Sequence, residues 1–353
     1  MPYPRIESFD VLATEVIGHL TDELPFVLYR KPGEKRVTGL FQNDSSLNFT
    51  FGFDEKGFVF APFDTQNDAI LLRADKIVFS EFEKSPKTSI SEKEVTSSDK
   101  DAHQDLVQKG ITEIKKGNLK KVVLSRKIET EVSTSHQKIF SNLLNSYPNA
   151  FCYWFHHPKV GMWCGATPET LVQVKDDNLR TMSLAATTKV VDNQLPLWGD
   201  KEMEEQQMVS DHIAGRLHSK LKSFEVGKAE SVMAGSLWHL KSEITGELSK
   251  ESNLREIIMA LHPTPAVCGI PTESAKDFIL KNENYQRKYY TGYLGELNLW
   301  GEQEIALYVN LRCMELGDGK ASIFVGGGIT MASDPQSEWV ETQNKSKTML
   351  SIL

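Results

Sequence analysis

Between Phe26 and Phe63 short apolar runs alternate with turn residues (FVLYRKPGEKRVTGLFQNDSSLNFTFGFDEKGFVFAPF), which predicts several antiparallel strands joined by tight turns. From Glu81 to Asp101 the chain turns polar and charged, which predicts a surface connection. A boundary there divides the chain into a β-rich N-terminal part, 1–98, and a second part, 99–353. Leu106, Val107, Ile111 and Ile114 then recur near helical spacing, predicting a helix from about His103 to Lys116 with Gly117 to stop it. Further on, KKVVLSRKIE, AFCYWFHH, EIALYVNLRCMEL and ASIFVGG read as strands. Asp200 to Leu221, Leu254 to Leu261, Thr272 to Asn282 and Pro335 to Leu353 read as helices. Strands and helices do not alternate regularly, so the expected fold class is α+β rather than a doubly wound parallel sheet. No internal repeat is present.

The 353 residues suit one large domain or two ordinary ones. A formal net charge of −8 argues against nucleic acid or anionic lipid as main partner, because both need a basic face. An acidic protein that binds an acid must concentrate positive charge locally, through a metal ion or a few placed Lys and Arg residues. The start, MPYPRIESFD, lacks the pattern of a secretory leader, and no run of about 18 apolar residues occurs. Cys152, Cys164, Cys268 and Cys313 are scattered without metal or disulfide spacing and read as small buried hydrophobes. These features together make the cytoplasm the expected location, with no membrane contact and no evident obligate protein partner.

Candidate chemistry concentrates near the C-terminus. Glu338, Glu341, Thr342 and Lys345 share one face of the last predicted helix. Two carboxylates one turn apart could ligate a hard cation and leave the lysine for an anionic substrate. Taken alone, the same helix reads better as a solvated face with an ordinary Glu–Lys pair. In DKEMEEQQMVSDHIAGRLHSKL, Glu205 continues the apolar stripe of Met208, Val209, His212, Ile213 and Leu217, whereas Glu202 is less aligned. A carboxylate on a buried face needs a partner or a metal. In KKVVLSRK an extended chain places Lys121, Val123 and Ser125 on one face and Lys120 on the other. A core-facing lysine suits a base; an edge-strand lysine that blocks aggregation is the plainer reading. Glu169 follows a Thr-Pro turn, His262 sits in a Pro-rich surround, and Arg312 near a strand end suits bidentate carboxylate binding. Gly326, Gly327 and Gly328 read either as a hairpin turn or as amides open to an anion.

Taken in order, nine motifs carry a resemblance: KVVLSR, GATPE, SLAATT, KEMEEQQMVSD, LHPTPAVCG-P, E-x-Y-x-R-x-x-Y-x-G, LYVNLRC, GGGI and SDPQSEWVETQNK. Their order and spacing resemble the chorismate-utilising enzymes, which include isochorismate, salicylate, anthranilate (component I) and aminodeoxychorismate synthases. The resemblance covers about residues 100–353 and implies an anthranilate synthase component I-like fold, with large antiparallel sheets inside, helices outside and a site in a cleft between two halves. It implies chorismate as substrate and Mg2+ as cofactor, with Glu205 and Glu341 as metal ligands and Glu338 close by. Arg312, Tyr290, Lys345 and the Gly326–Gly328 turn are implied as the clamp on the second carboxylate. Thr187 and His262 are implied along the ring, Glu169 as general acid and Lys121 as general base. The amidating members lack this lysine, so its presence implies attack by water at C2, giving isochorismate or, with loss of pyruvate, salicylate. The base must start neutral and the acid protonated. Three departures stand out: Ala186 and Lys288 where glycine is usual, and Gln206 where the family has histidine.

Overall fold

In the computed structural model the alternation after Phe26 resolves into strands Phe26–Arg30, Arg36–Phe41, Asn48–Thr50 and Gly57–Ala61. The structure describes residues 6–84, 99–189, 194–234, 237–249 and 251–353, and the boundary expected at residue 98 lies outside them. Among the described residues there are two large sheets of ten strands each, antiparallel except where Ile6–Glu7 runs parallel to Lys76–Glu81. The first runs, among others, through Phe26–Arg30, Phe151–His157, Gly161–Thr167, Cys313–Gly317, Lys320–Ile329, Lys121–Glu131 and Gly269–Ile270 as successive neighbours. The second runs through Leu237–Leu248, Asn178–Lys189, Thr170–Lys175, Ile305–Val309, Tyr293–Leu297 and Gly57–Ala61. Strands from the first hundred residues therefore complete both sheets: Phe26–Arg30 pairs with Phe151–His157, and Gly57–Ala61 with Tyr293–Leu297.

Aromatic side chains fill the space where the two sheets face each other. Tyr29, Phe151 and Phe155 of the first meet Phe58, Tyr308 and Phe60 of the second, with ring centroids 5.4, 4.2 and 4.3 Å apart. Strands buried on both faces read as continuous apolar runs, and FVLYR and GFVFA show that pattern. Helices cover the outer faces. Phe9–Thr21, His136–Ser146 and Pro335–Leu350 contribute Leu12, Phe140 and Met349 to the core beyond the first sheet. Asp200–Leu217 and Leu254–Leu261 contribute Val209, Ile213 and Ile257 beyond the second. The result is the expected α+β arrangement of sheets inside and helices outside.

Helices Leu254–Leu261 and Thr272–Asn282 have the expected bounds. The helix expected from His103 starts earlier, at Lys100. Two others stop short: Asp200–Leu217 gives way to a strand, Leu221–Val226, and the last helix ends at Leu350. Phe9–Thr21 and His136–Ser146 were not expected; Ser8 and Ser135 cap them by accepting from the Val11 and Lys138 amides.

Both departures from glycine fall at left-handed backbone, with φ of 57° at Ala186 and 50° at Lys288. Ala186 lies where the pairing of Asn178–Lys189 with Leu237–Leu248 slips between Ala185 and Thr188. A left-handed L-residue costs about 1–2 kcal/mol, and glycine returns roughly half of that through the unfolded chain. Ala186→Gly should therefore raise stability by up to about 1 kcal/mol, read as a higher melting temperature.

Candidate active site

Lys121 opens the strand Lys121–Glu131, the next-to-last of the first sheet, and pairs with Ile270. Strand alternation turns its neighbour Lys120 to solvent and buries Lys121 to 1 % exposure. The Lys121 side chain faces a cavity of about 150 Å³ whose wall also includes Glu169, Glu205, Tyr290, Arg312, Glu338, Glu341 and Lys345. Residues far apart in the chain meet there because strands of both sheets and two helices end on it. The backbone behind this wall is tied by a buried pair, Arg287 and Glu283, 2.6 Å apart. Arg287 donates to the Val123 and Val267 carbonyls, and Glu283 accepts from the Ser125 amide. The E-N-Y-Q-R segment thus fixes the strand that carries Lys121.

Glu169 is 3 % exposed. Burial pushes its carboxyl up to about 8, against the opposing pull of the Lys121 charge and the nearby Thr264 hydroxyl. Near neutral pH Glu169 therefore carries a proton. Tyr290 is buried, and burial raises its phenol further. Arg312 is held by left-handed backbone (φ 47°) and donates from Nη1 to Thr348 Oγ1 at 3.2 Å. Burial lowers its pKa, with Tyr147, Tyr290 and Glu341 opposing.

The three expected metal carboxylates reach the cavity from two helices, Glu205 from Asp200–Leu217 and Glu338 and Glu341 from Pro335–Leu350. Asp334 caps the second helix by accepting from Ser337, and Pro335 occupies its first turn. Two ammonium groups accompany these carboxylates: Lys121 Nζ lies 2.8 Å from Glu205 Oε1, and Lys345 Nζ lies 2.5 Å from Glu341 Oε1. Among the described residues no three His, Cys, Asp or Glu side chains converge as a ready-made cage. The donor chemistry nevertheless fits a hard cation, since all three groups offer carboxylate oxygen. The adjacent strand leaves room for them. A Cβ on Gly327 would lie 2.9 Å from Glu338 Oε2 and 3.6 Å from Glu341 Oε1, and one on Gly328 would lie 3.0 Å from Glu205 Oε1.

That strand corrects one expectation. Gly326, Gly327 and Gly328 form no turn; they lie inside Lys320–Ile329, paired with Ser125, Leu124 and Val123. The Gly326 carbonyl accepts from Lys345 Nζ at 2.9 Å. His262 is not on the cavity wall. It is buried against Tyr293, its Nε2 lies 3.3 Å from the Phe63 carbonyl, and burial pushes it down to about 4. The Thr187 side chain lies outside the described residues. Two further titratable side chains lie on the wall: Glu202, set aside in the sequence as less aligned, and His239, which the sequence reading missed. His239 Nδ1 lies 3.0 Å from the Ala186 carbonyl, and burial with the Arg312 and Lys345 charges pushes it down to about 3. The signal was the alternation in WHLKSEI, where His239, Lys241 and Glu243 share one strand face.

A family model described as chorismate binding enzyme matches residues 53–351. The chain belongs to that family. Isochorismate synthase DhbC of Bacillus subtilis (strain 168) is 33% identical over 266 residues, which take in 69% of this chain and 65% of that protein. This chain thus matches just under two thirds of that curated relative's length. A solved structure of Bacillus anthracis DhbC superimposes with a TM-score of 0.82 at 24% identity, covering 96% of this chain and 99% of that one. Anthranilate synthase component I from Streptococcus pneumoniae TIGR4 gives 0.65 at 26% identity, covering 74% and 60%. The family's match begins at residue 53, inside the N-terminal β-rich part, in keeping with strands there that complete both sheets.

Proposed function

We propose that the protein is an isochorismate synthase, converting chorismate to isochorismate with Mg2+ as cofactor. The observation that carries this reading is a buried lysine and a buried carboxyl group, Lys121 and Glu169, on the wall of one small cavity beside Arg312. The named relatives support it, since the Bacillus subtilis protein bears that name.

In this reading Arg312, Tyr290 and Lys345 hold one substrate carboxylate. Glu205, Glu338 and Glu341 would hold the cation, which when bound would supply charge neutralisation for the other carboxylate. Lys121, once its ammonium has left Glu205 and given up a proton, takes a proton from water. The water oxygen bonds to C2, the ring double bonds shift towards C4, and the C4–O bond breaks. Glu169 gives its proton to the departing oxygen, which leaves as water, so atoms and charge balance. Incubation with chorismate and Mg2+ followed by chromatography tests the proposal. Isochorismate as sole product supports it, salicylate with pyruvate replaces it with a lyase, and no turnover overturns it.

Because Glu169 acts in its protonated form, kcat should fall as pH rises through about 8. A carboxyl raised in the folded state contributes stability that is fully present below its ordinary value of 4.5 and is lost as pH rises through about 8. Melting temperatures across that range should decline less steeply in Glu169→Gln than in the wild type.

Arg312→Lys keeps the charge and loses the planar fork. The loss in kcat/KM should correspond to about 1.5–3 kcal/mol, as for hydrogen bonds to charged groups. An unchanged kcat/KM would mean that Arg312 serves only Thr348 and the strand end.

A further inference from the structure

Beyond Arg312 lies a second cavity of about 480 Å³, and Pro168, Leu184, His239 and Arg312 belong to the walls of both. Its outer rim is open, with Pro148, Asn149 and Met233 exposed, whereas Ala150, Ala166 and Leu184 at its inner end are buried. Charge separates the two spaces. Glu169, Glu202, Glu205, Glu338 and Glu341 line the inner cavity. Among the described residues no Asp or Glu lines the outer one, which presents the charges of Lys241 and Arg312 beside a neutral His239.

In a chain of formal net charge −8, the described wall residues give a path without carboxylates from solvent to the guanidinium, with Glu230 paired across from Lys241 on the neighbouring strand. A small dianion that approached past Glu202 would run along the carboxylates reserved for the cation. From the other side it meets, among the described wall residues, the two cations Lys241 and Arg312 set in neutral polar and apolar wall, the arrangement that raises local anion concentration and association rate. Arg312 can serve both spaces, since its Nη1 bonds Thr348, a residue of the outer wall. Met182, Leu184 and Val232 offer apolar surface to the face of a ring.

We propose that the outer cavity is an antechamber for the cyclic dicarboxylic acid substrate. One carboxylate rests on Lys241 and Arg312 before the molecule passes Leu184 and His239 into the inner cavity. The proposal rests on the chorismate reading above and adds a docking site and a direction of approach to it.

Steady-state kinetics with chorismate and Mg2+ test it on the wild type, Lys241→Glu, Lys241→Arg and Met233→Trp. Neither position is fully buried, so all three variants should fold, and melting curves check this. Lys241→Glu should lower kcat/KM by about tenfold or more, the scale of electrostatic steering, and leave kcat within about twofold. Lys241→Arg should restore kcat/KM, and Met233→Trp, which narrows the rim, should also lower it with kcat kept. Added salt should depress wild-type kcat/KM more steeply than that of Lys241→Glu. If the wild type turns chorismate over and the Lys241→Glu and Met233→Trp variants keep its kcat/KM and salt dependence, the antechamber is overturned and the activity stands. Equal losses in kcat and kcat/KM also overturn it, because the cavity would then only support the inner wall. No turnover by the wild type removes the activity and the antechamber together.

Discussion

Lys121→Ala should lower kcat by about 10²–10⁴-fold, the usual worth of a positioned general base. KM should change little, because Arg312, Tyr290 and the metal carboxylates keep the substrate in place. The Lys120→Ala variant is the internal control. Lys120 is one residue away but exposed, with its amide bonded to Ile270, so its side chain cannot reach the cavity. The reverse reaction, isochorismate to chorismate, should be impaired to the same degree, since one transition state serves both directions. Lys121 is also a large buried side chain, so Lys121→Met, which keeps most of its volume, separates chemistry from packing. A slow but well-folded Lys121→Met is the expected result. Near-wild-type turnover in both Lys121 variants would remove the lysine base and, with it, the case for water as nucleophile.

Some of this site was legible because it depends on local rules. Strand alternation alone separates Lys121 from Lys120, and helical spacing alone puts Glu338, Glu341 and Lys345 on one face. What was not legible depends on contacts distant in sequence. Phe26–Arg30 pairs with Phe151–His157 without any local mark of the partnership. The sequence leaves the glycine triplet open between two readings because missing Cβ atoms suit both a tight bend and a close approach. Only the carboxylates packed over Gly327 and Gly328 decide for the latter. His262 drew notice for its Pro-rich surround, while His239, the histidine on the wall, sat in a plain alternating strand. The helix His136–Ser146 was missed although Ile139, Phe140, Leu143 and Leu144 form a helical stripe. Its shortness and the polar residues before it hid the pattern.

Removing Glu341 should abolish Mg2+-dependent turnover and leave the fold intact. Two carboxylates facing one space repel in the absence of a cation, which favours deleting either one, but for Glu205 an ion pair reverses that sign. Its partner Lys121 is only 2 % exposed in its side chain, and Glu205 is 15 % exposed. Deleting Glu205 strands a buried ammonium, an event that costs up to about 3–5 kcal/mol in a fully buried pair. Glu205→Ala should therefore melt lower without metal as well as lose activity. Glu341 and Lys345 are 30 % and 15 % exposed, so their pair is worth less, about 1 kcal/mol or under. Glu341→Ala is thus the cleaner test. Cation binding to the native state raises stability by about 2.7 kcal/mol at a concentration of 100 Kd. The wild type should accordingly melt higher as Mg2+ is added, and Glu341→Ala should show no such rise at the same concentrations. Because this readout needs no substrate, it separates loss of the cation from damage to the clamp around Arg312. An inactive Glu341→Ala that keeps the full Mg2+-induced rise in melting temperature would place the cation elsewhere in the protein.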